Sequence, residues 1–443
     1  MILEHDNDRI VFTREMKEDY TILIPTMLPM HFELISQILK SYGYKTELLK
    51  NSGSRVKECG LKNVHNDSCY PALLVIGQFI DALESGNFDP HKTALLITQT
   101  GGGCRASNYI ALLRKALKKS GFEYVPVISL NFAGLEKNPG FVMPLSMIHR
   151  MIYAVTYGDL LMMLQNQSKP YELINGSSDK IAQDWIKRLT NEMEDEGRLI
   201  SYKKVKKNYE LIISDFAAIP KSDEQKIKVG IVGEIFVKFS PLGNNNLEEF
   251  LLSEGAQTVM PGLLDFCLYC VYNGIMDREL YGMGRAKSVL FRGILKVLLN
   301  KQNDIIDAVK AEGSFEAPTS FSHTCTLTEG YMGIGAKMGE GWLLTAEMLE
   351  LVEQGTTNII CTQPFGCLPN HIVGKGMMKL IKEKNPDVNI VAIDYDPGTT
   401  AINQENRIKL MLANAKKPVV TRSKSNPTVV KDENEKEYAT QKG

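Results

Sequence analysis

The sequence predicts an α/β protein of two domains, and three observations carry that expectation. Short apolar runs are each followed by a turn and then a stretch of helical character, as when TALLITQT runs through GGGCR into ALLRKALKKSG. This alternation fills residues 19–220 and then begins again over 221–415, after the polar run KSDEQ. A chain of 443 residues is also long for a single hydrophobic core. Residues 1–18 read as a polar arm, and 416–443, rich in Lys, Glu, Ser and Thr, as a flexible tail.

In the first domain YTILIPTM reads as a strand stopped by Pro25, and HFELISQILKSYG as a helix closed by Gly43. YKTELL is the second strand. The stretch 51–70, NSGSRVKECGLKNVHNDSCY, reads as a loop whose place after a strand suits a functional role. HKTALLITQT and YVPVISL are further strands, and NFAGLEKNPGF is a loop. Residues 144–168 and 178–197 read as long helices, and the lysine-rich 203–209 as solvated.

The second domain opens on IKVGIVGEIFV, with Glu234 near the strand's end. GNNN precedes a helix, and Asn244 to Asn246 read either as supplying its cap or as making polar contacts to a substrate between the domains. AQTVMPG is a short strand and turn, 283–311 a long helix, TTNII a strand, and IVGKGMMKLIKEK a helix. VNIVAIDYDPG is the last strand, with Asp394 and Asp396 at its end either touching substrate or forming the D-P-G turn. NQENRIKLMLANAKK closes the fold.

A net charge of -1 with no sustained basic tract before the tail argues against nucleic acid as the main partner. MILEHDNDRIVF lacks the basic-then-apolar pattern of a signal segment. No apolar run reaches the ~18 residues of a membrane span, so no membrane association is expected and the cytoplasm is the expected compartment. Eight cysteines in a chain this long are not a disulfide scaffold. The lone C-x-x-C, Cys267 and Cys270, has aromatic and aliphatic flanks and reads first as buried structural thiols. GYMGIGAKMGEG lacks the third glycine of the dinucleotide fingerprint and the G-x-x-x-x-G-K-[ST] spacing of a phosphate loop, so it does not read as a nucleotide site.

Three other thiols carry the chemistry. Cys69, in D-S-C-Y-P, precedes a helix, where free N–H groups favour thiolate. Cys104 follows three glycines and neighbours Arg105, which could meet an anionic substrate or cluster sulfides, or simply be solvated. Cys367, in F-G-C-L-P, echoes the C-Y-P at Cys69; Cys361, at the preceding strand's end, is a less favoured candidate ligand. Cysteines from three loops suggest one convergent site. An iron–sulfur cluster, a zinc site and a set of plain thiols are all compatible with these residues. Arg105, Glu234 and His323 are the candidate catalytic groups, the last with Cys325 and Glu329 as polar groups lining a cleft.

The ordered set NDSCYPALLVIGQFIDAL, TQTGGGCR, GIVGEIF with its Asn turn, and TQPFGCLPNHIVGKG resembles the 2-hydroxyacyl-CoA dehydratase family, the relatives of 2-hydroxyglutaryl-CoA dehydratase. It is more similar to the branch found fused or adjacent to an ATP-dependent activase of the BadF/BadG type, here without the activase domain. The resemblance implies two flavodoxin-like (Rossmann-like) parallel-sheet domains with additional helices. It also implies a [4Fe-4S] cluster in the inter-domain cleft, with Cys69, Cys104 and Cys367 as ligands and one iron open. A separate activase would supply low-potential electrons for reductive radical chemistry, such as dehydration of a 2-hydroxyacyl-CoA or a related reduction. The substrate would be an acyl-CoA or another small molecule, and the assembly a homo-oligomer or a pairing with a related second subunit. A non-catalytic electron carrier or scaffold, a double-cubane cluster recruiting Cys270, Cys325 or Cys361 for small-molecule reduction, and a zinc or thiol enzyme are the alternatives.

Overall fold

The computed structural model describes residues 5–6, 9–65, 67–99, 102–130, 136, 138–194, 199–282 and 284–415. Two four-stranded sheets, each parallel throughout, form its framework. After a two-stranded pair, β1 (His5–Asp6) and β2 (Arg9–Ile10), the first sheet comprises β3 (Thr21–Pro25), β4 (Lys45–Leu49), β5 (Thr93–Thr98) and β6 (Val127–Leu130), in the order β4-β3-β5-β6. The second comprises β7 (Ile227–Gly233), β8 (Ala256–Val259), β9 (Asn358–Pro364) and β10 (Asn389–Tyr395), in the order β10-β9-β7-β8. The expected α/β architecture of two Rossmann-like or flavodoxin-like domains with additional helices is therefore what the chain adopts.

Strands so apolar can be buried on both faces, which parallel sheets require. In β5 all residues from Thr93 to Ile97 are buried. Each sheet has a point where the chain's direction of winding reverses, between β3 and β5 in one and between β7 and β9 in the other. Crevices at the carboxyl ends of such strand pairs are where ligands bind in open α/β sheets.

The two halves share one apolar core. Leu23, Leu95 and Ile97 of the first sheet belong to the same cluster as Val229, Ile231 and Ile393 of the second. The Tyr70–Glu84 helix lies in that cluster, and its residues from Tyr70 to Leu83 are all buried. That explains its near-continuous apolar sequence: it has no solvent face to pattern. The helices Leu145–Ser168, Ser177–Glu192 and Tyr202–Ala217 cover the other side of the first sheet, with Tyr157, Trp185 and Tyr209 among the buried residues.

Several expectations need correction. Residues 9–19 are not a free arm: Arg14–Asp19 is helical, and Phe12 and Met16 are fully buried. The loop expected over 51–70 contains the helix Ser54–Asn63, whose Val56, Cys59, Gly60 and Asn63 are buried at helical spacing. Its contact with the Tyr70–Glu84 helix is very close: a Cβ on Gly77 would lie 2.2 Å from the Val56 carbonyl oxygen. The lysines of 203–209 are solvated as expected, yet they sit on a helix whose Val205 and Tyr209 are buried. The tail 416–443 and most of the loop 131–141 lie outside the described residues. Among the described residues, no helix is long and apolar enough to cross a membrane.

Candidate functional site

The site is built from loops at the carboxyl ends of the strands. Cys69 is the N-cap residue of the Tyr70–Glu84 helix, with Pro71 in the first turn, where its missing N–H costs nothing. Cys104 follows β5 and caps the short turn Arg105–Asn108. Cys367 follows β9, and its carbonyl accepts from the His371 amide at 3.2 Å. Cys69 and Cys367 are buried and Cys104 is half-buried.

Backbone contacts bring these loops together. The Tyr70 amide donates to the Phe365 carbonyl at 2.9 Å, across the domain boundary. Gly366 has φ +73°, and a Cβ there would stand 3.0 Å from the Cys69 Cα, so only glycine lets the two cysteine loops approach so closely. The glycine-rich loop 330–341 closes over the other side. A Cβ on Gly339 would fall 3.2 Å from Pro369 Cγ and 3.7 Å from Cys104 Sγ, and one on Gly103 would meet Met338. Cys69 Sγ and Tyr109 Oη are hydrogen-bonded at 3.0 Å.

Two carboxyls share this cleft. Glu234 follows β7 as N-cap of the Ile235–Phe239 helix and accepts from the Val237 amide at 2.9 Å. Glu340 accepts from the Ile235 amide at 2.8 Å. Burial, with Glu340 close by, pushes the Glu234 carboxyl up to about 8, and burial likewise raises Glu340.

The thiols move the same way. Burial pushes Cys104 up to about 11, with Glu340, Cys69 and Glu234 adding to it. Burial raises Cys367, with Glu340, Glu234 and Cys69 adding. Cys69 is raised by burial against the opposing hydrogen bond from Tyr109, and its weaker influences include Glu234 and Arg105. The expected thiolate bias of a helix start is thus outweighed by desolvation. With their protons on, these thiols are poor nucleophiles at neutral pH, whereas a metal that binds them displaces those protons.

Arg105 is exposed and lies close enough to act electrostatically on Cys69, so it stands at the cleft's mouth. His323 is elsewhere: its Nε2 pairs with Glu353 Oε2 at 2.6 Å on an exposed surface. Cys361 is fully buried in a separate apolar cluster with Val232, Leu344 and Met348, its Sγ 3.5 Å from Asn370 Oδ1. Cys267 and Cys270 lie on the Leu263–Tyr281 helix, Cys267 half-buried and Cys270 exposed. Cys325 follows the Phe321–Thr324 turn. Asp396 closes its own turn by accepting from the Gly398 and Thr399 amides. Asn244 caps as expected, accepting from the Leu247 amide.

Glu340 was not among the candidates. Its signal was a lone carboxylate between two glycines, both of which take positive φ, +59° at Gly339 and +46° at Gly341.

The loops that carry Cys69, Cys104 and Cys367 pack against one another around Gly339 and Gly366. Among the described residues, no group of three or more His, Cys, Asp or Glu side chains could hold a metal ion. A cube binds each thiolate at a different corner iron, so its ligands stand further apart than the four around one zinc. No protein-family model matches the chain, and no curated protein matches it.

Proposed function

We propose that the protein is an iron–sulfur component of a reductive system. Cys69, Cys104 and Cys367 would hold a [4Fe-4S] cluster in the inter-domain cleft, with one iron left without a protein ligand. When bound, such a cluster supplies one-electron reduction and an open Lewis-acidic site. A separate ATP-dependent activase is the electron donor, and an acyl-CoA or another small molecule the acceptor, with dehydration of a 2-hydroxyacyl-CoA as the model reaction. The observation that supports this reading is the packing together of the three loops that bear Cys69, Cys104 and Cys367 at the carboxyl ends of both sheets.

The chain's own residues have defined parts in this proposal. Tyr109 holds the Cys69 sulfur in place. Arg105, at the mouth, attracts an anionic acceptor. Glu234 and Glu340 hold protons beside the thiols, and the 330–341 loop excludes water. The eight cysteines are all unpaired, which supports a reducing, cytoplasmic setting.

Anaerobic reconstitution tests the proposal. About four irons and four sulfides per chain, with a reducible cube by electron paramagnetic resonance, are expected. Single alanine substitutions at Cys69, Cys104 and Cys367 should each lower iron content, while Cys361→Ala and Cys59→Ala should not. Air-stable zinc without iron would overturn it.

A further inference from the structure

The Leu263–Tyr281 and Arg285–Glu312 helices form a hairpin whose tip stands out into solvent. Between residues 279 and 297, Ser288 alone is buried among the described residues. The two helices are tightly packed there: a Cβ on Gly274 would fall 2.3 Å from the Phe291 ring. Leu295, Leu298 and Leu299 turn inward to the cluster that holds Tyr269 and Trp342. A second apolar stripe turns outward. Ala286, Val289, Leu290, Gly293, Ile294 and Val297 recur at the three- and four-residue spacing of one helix face. All six are exposed, and Val289, Leu290 and Val297 are more than half exposed.

A helix that is apolar on opposite faces is ordinarily covered on both. This one is, further along its length. Two turns after Val297 the same outward face carries Asp304, which accepts from Tyr202 Oη at 2.7 Å and pairs with Lys206. The tip has no such cover among the described residues. Leu280 and Tyr281, exposed at the end of the first helix, extend its bare apolar surface.

The stripe is bordered by cations. Helical spacing puts Lys287 at one edge and Arg285, Arg292 and Lys296 at the other. Between 277 and 297 there are five basic residues and two acidic ones, in a chain of net charge -1. Arg292 is tied to Glu279 at 2.7 Å. Arg285, Lys287 and Lys296 are exposed and have no acidic partner among the described residues. A second copy laid on this stripe, in either direction, would set one basic border against another, and like charges so placed repel. A folded partner would need a trench to receive the ridge. An anionic bilayer surface meets both conditions. It yields around a ridge, and its headgroups match the cations while the lysine stems lie along the apolar layer.

We propose that the hairpin tip docks the protein on an anionic phospholipid surface. The outward stripe sinks into the boundary between headgroups and acyl chains, and Arg285, Lys287 and Lys296 stay among the phosphates. This departs from the expectation of no membrane association, which rested on the lack of a spanning segment; a surface contact needs none. The docked tip also abuts the loop that closes over the thiols. Lys337 pairs with Asp277 and lies 5.5 Å from the centre of the Tyr281 ring, and a Cβ on Gly335 would stand 3.2 Å from Tyr281 Oη. Nothing in the docking rests on the iron–sulfur reading.

Lipid vesicles and the full chain supply the test. The protein should bind vesicles of equal parts phosphatidylglycerol and phosphatidylcholine about tenfold or more tightly than phosphatidylcholine alone, and more weakly as salt rises. Lys287→Glu with Lys296→Glu should lower that binding about tenfold or more, and so should Leu290→Ser with Ile294→Ser. All four residues are exposed, so the melting temperatures should stay near that of the wild type. Trp185 and Trp342 are both buried, which leaves a quiet background for fluorescent reporters. Leu290→Trp should shift its emission to the blue on the anionic vesicles, and Asp307→Trp, on the exposed polar half of the helix, should not. Absence of binding to the anionic vesicles, binding that both double variants leave unchanged, or no blue shift at Leu290→Trp overturns the proposal. A wild-type dimer in sedimentation equilibrium that Leu290→Ser with Ile294→Ser converts to monomer also overturns it, by assigning the stripe to a second copy.

Discussion

The Tyr70 amide and the Phe365 carbonyl, 2.9 Å apart, join the cysteine loop of the first domain to that of the second. Beside this bond, Gly366 permits the close approach. A Gly366→Ala variant would place a methyl group against Cys69 and force a left-handed backbone on alanine, at about 1–2 kcal/mol for the backbone alone. The expected outcome is a lowered melting temperature together with reduced iron loading, measured on the same preparations.

The hydrogen bond between Cys69 and Tyr109 favours the thiolate. Tyr109→Phe removes it, so the Cys69 thiol should titrate at higher pH. Alkylation rates of the apo protein as a function of pH, read at Cys69 by peptide mass spectrometry, should shift upward. An unchanged profile would mean that the bond leaves the thiol's acidity unaffected.

Close packing of two helices depends on Gly77. Its Cβ position lies 2.2 Å from a backbone oxygen, which no rotamer change can relieve. Gly77→Ala should destabilise the protein by about 3 kcal/mol in denaturant melts, far more than the same change at Gly293, where nothing stands within 4 Å.

The pH dependence of stability carries the mark of Glu350. Its carboxyl titrates near 7 in the folded chain, above its ordinary value of 4.5. Between those two values the folded state binds more protons than the unfolded state, so stability declines as pH rises through that window. Glu350→Gln should flatten this decline, as measured by melting temperature from pH 4.5 to 7.

Removing one partner of the buried Lys238–Glu347 pair is expected to be worse than removing both. Lys238→Met strands a carboxylate and should cost about 3–5 kcal/mol. The double variant Lys238→Met, Glu347→Leu should recover most of that loss in chemical denaturation.

The α/β alternation and the strands were legible because each apolar run is short and bounded by turn residues. The cysteine loops were legible for the same reason: Cys69, Cys104 and Cys367 all follow such runs or open a helix. The Ser54–Asn63 helix was not. Its polar surface, Gly53 just before it and Gly60 within it read as a loop, and only contact with Gly77 explains why Gly60 is there. Glu340 escaped notice because its partner is a backbone amide from residue 235, more than a hundred positions away. The Lys238–Glu347 pair was invisible for a related reason: both look like ordinary helix-surface residues until tertiary packing closes over them.

Two of the three clustered thiols lie in the first half of the chain, and the third comes from the second. During synthesis, Cys69 and Cys104 leave the ribosome roughly 260 residues before Cys367, tens of seconds at about 5–20 residues per second. The nascent first half thus carries two sulfurs with no third to complete them. Assembly of any centre they share must wait for the finished polypeptide, and a premature stop anywhere before β9 yields a product unable to bear it.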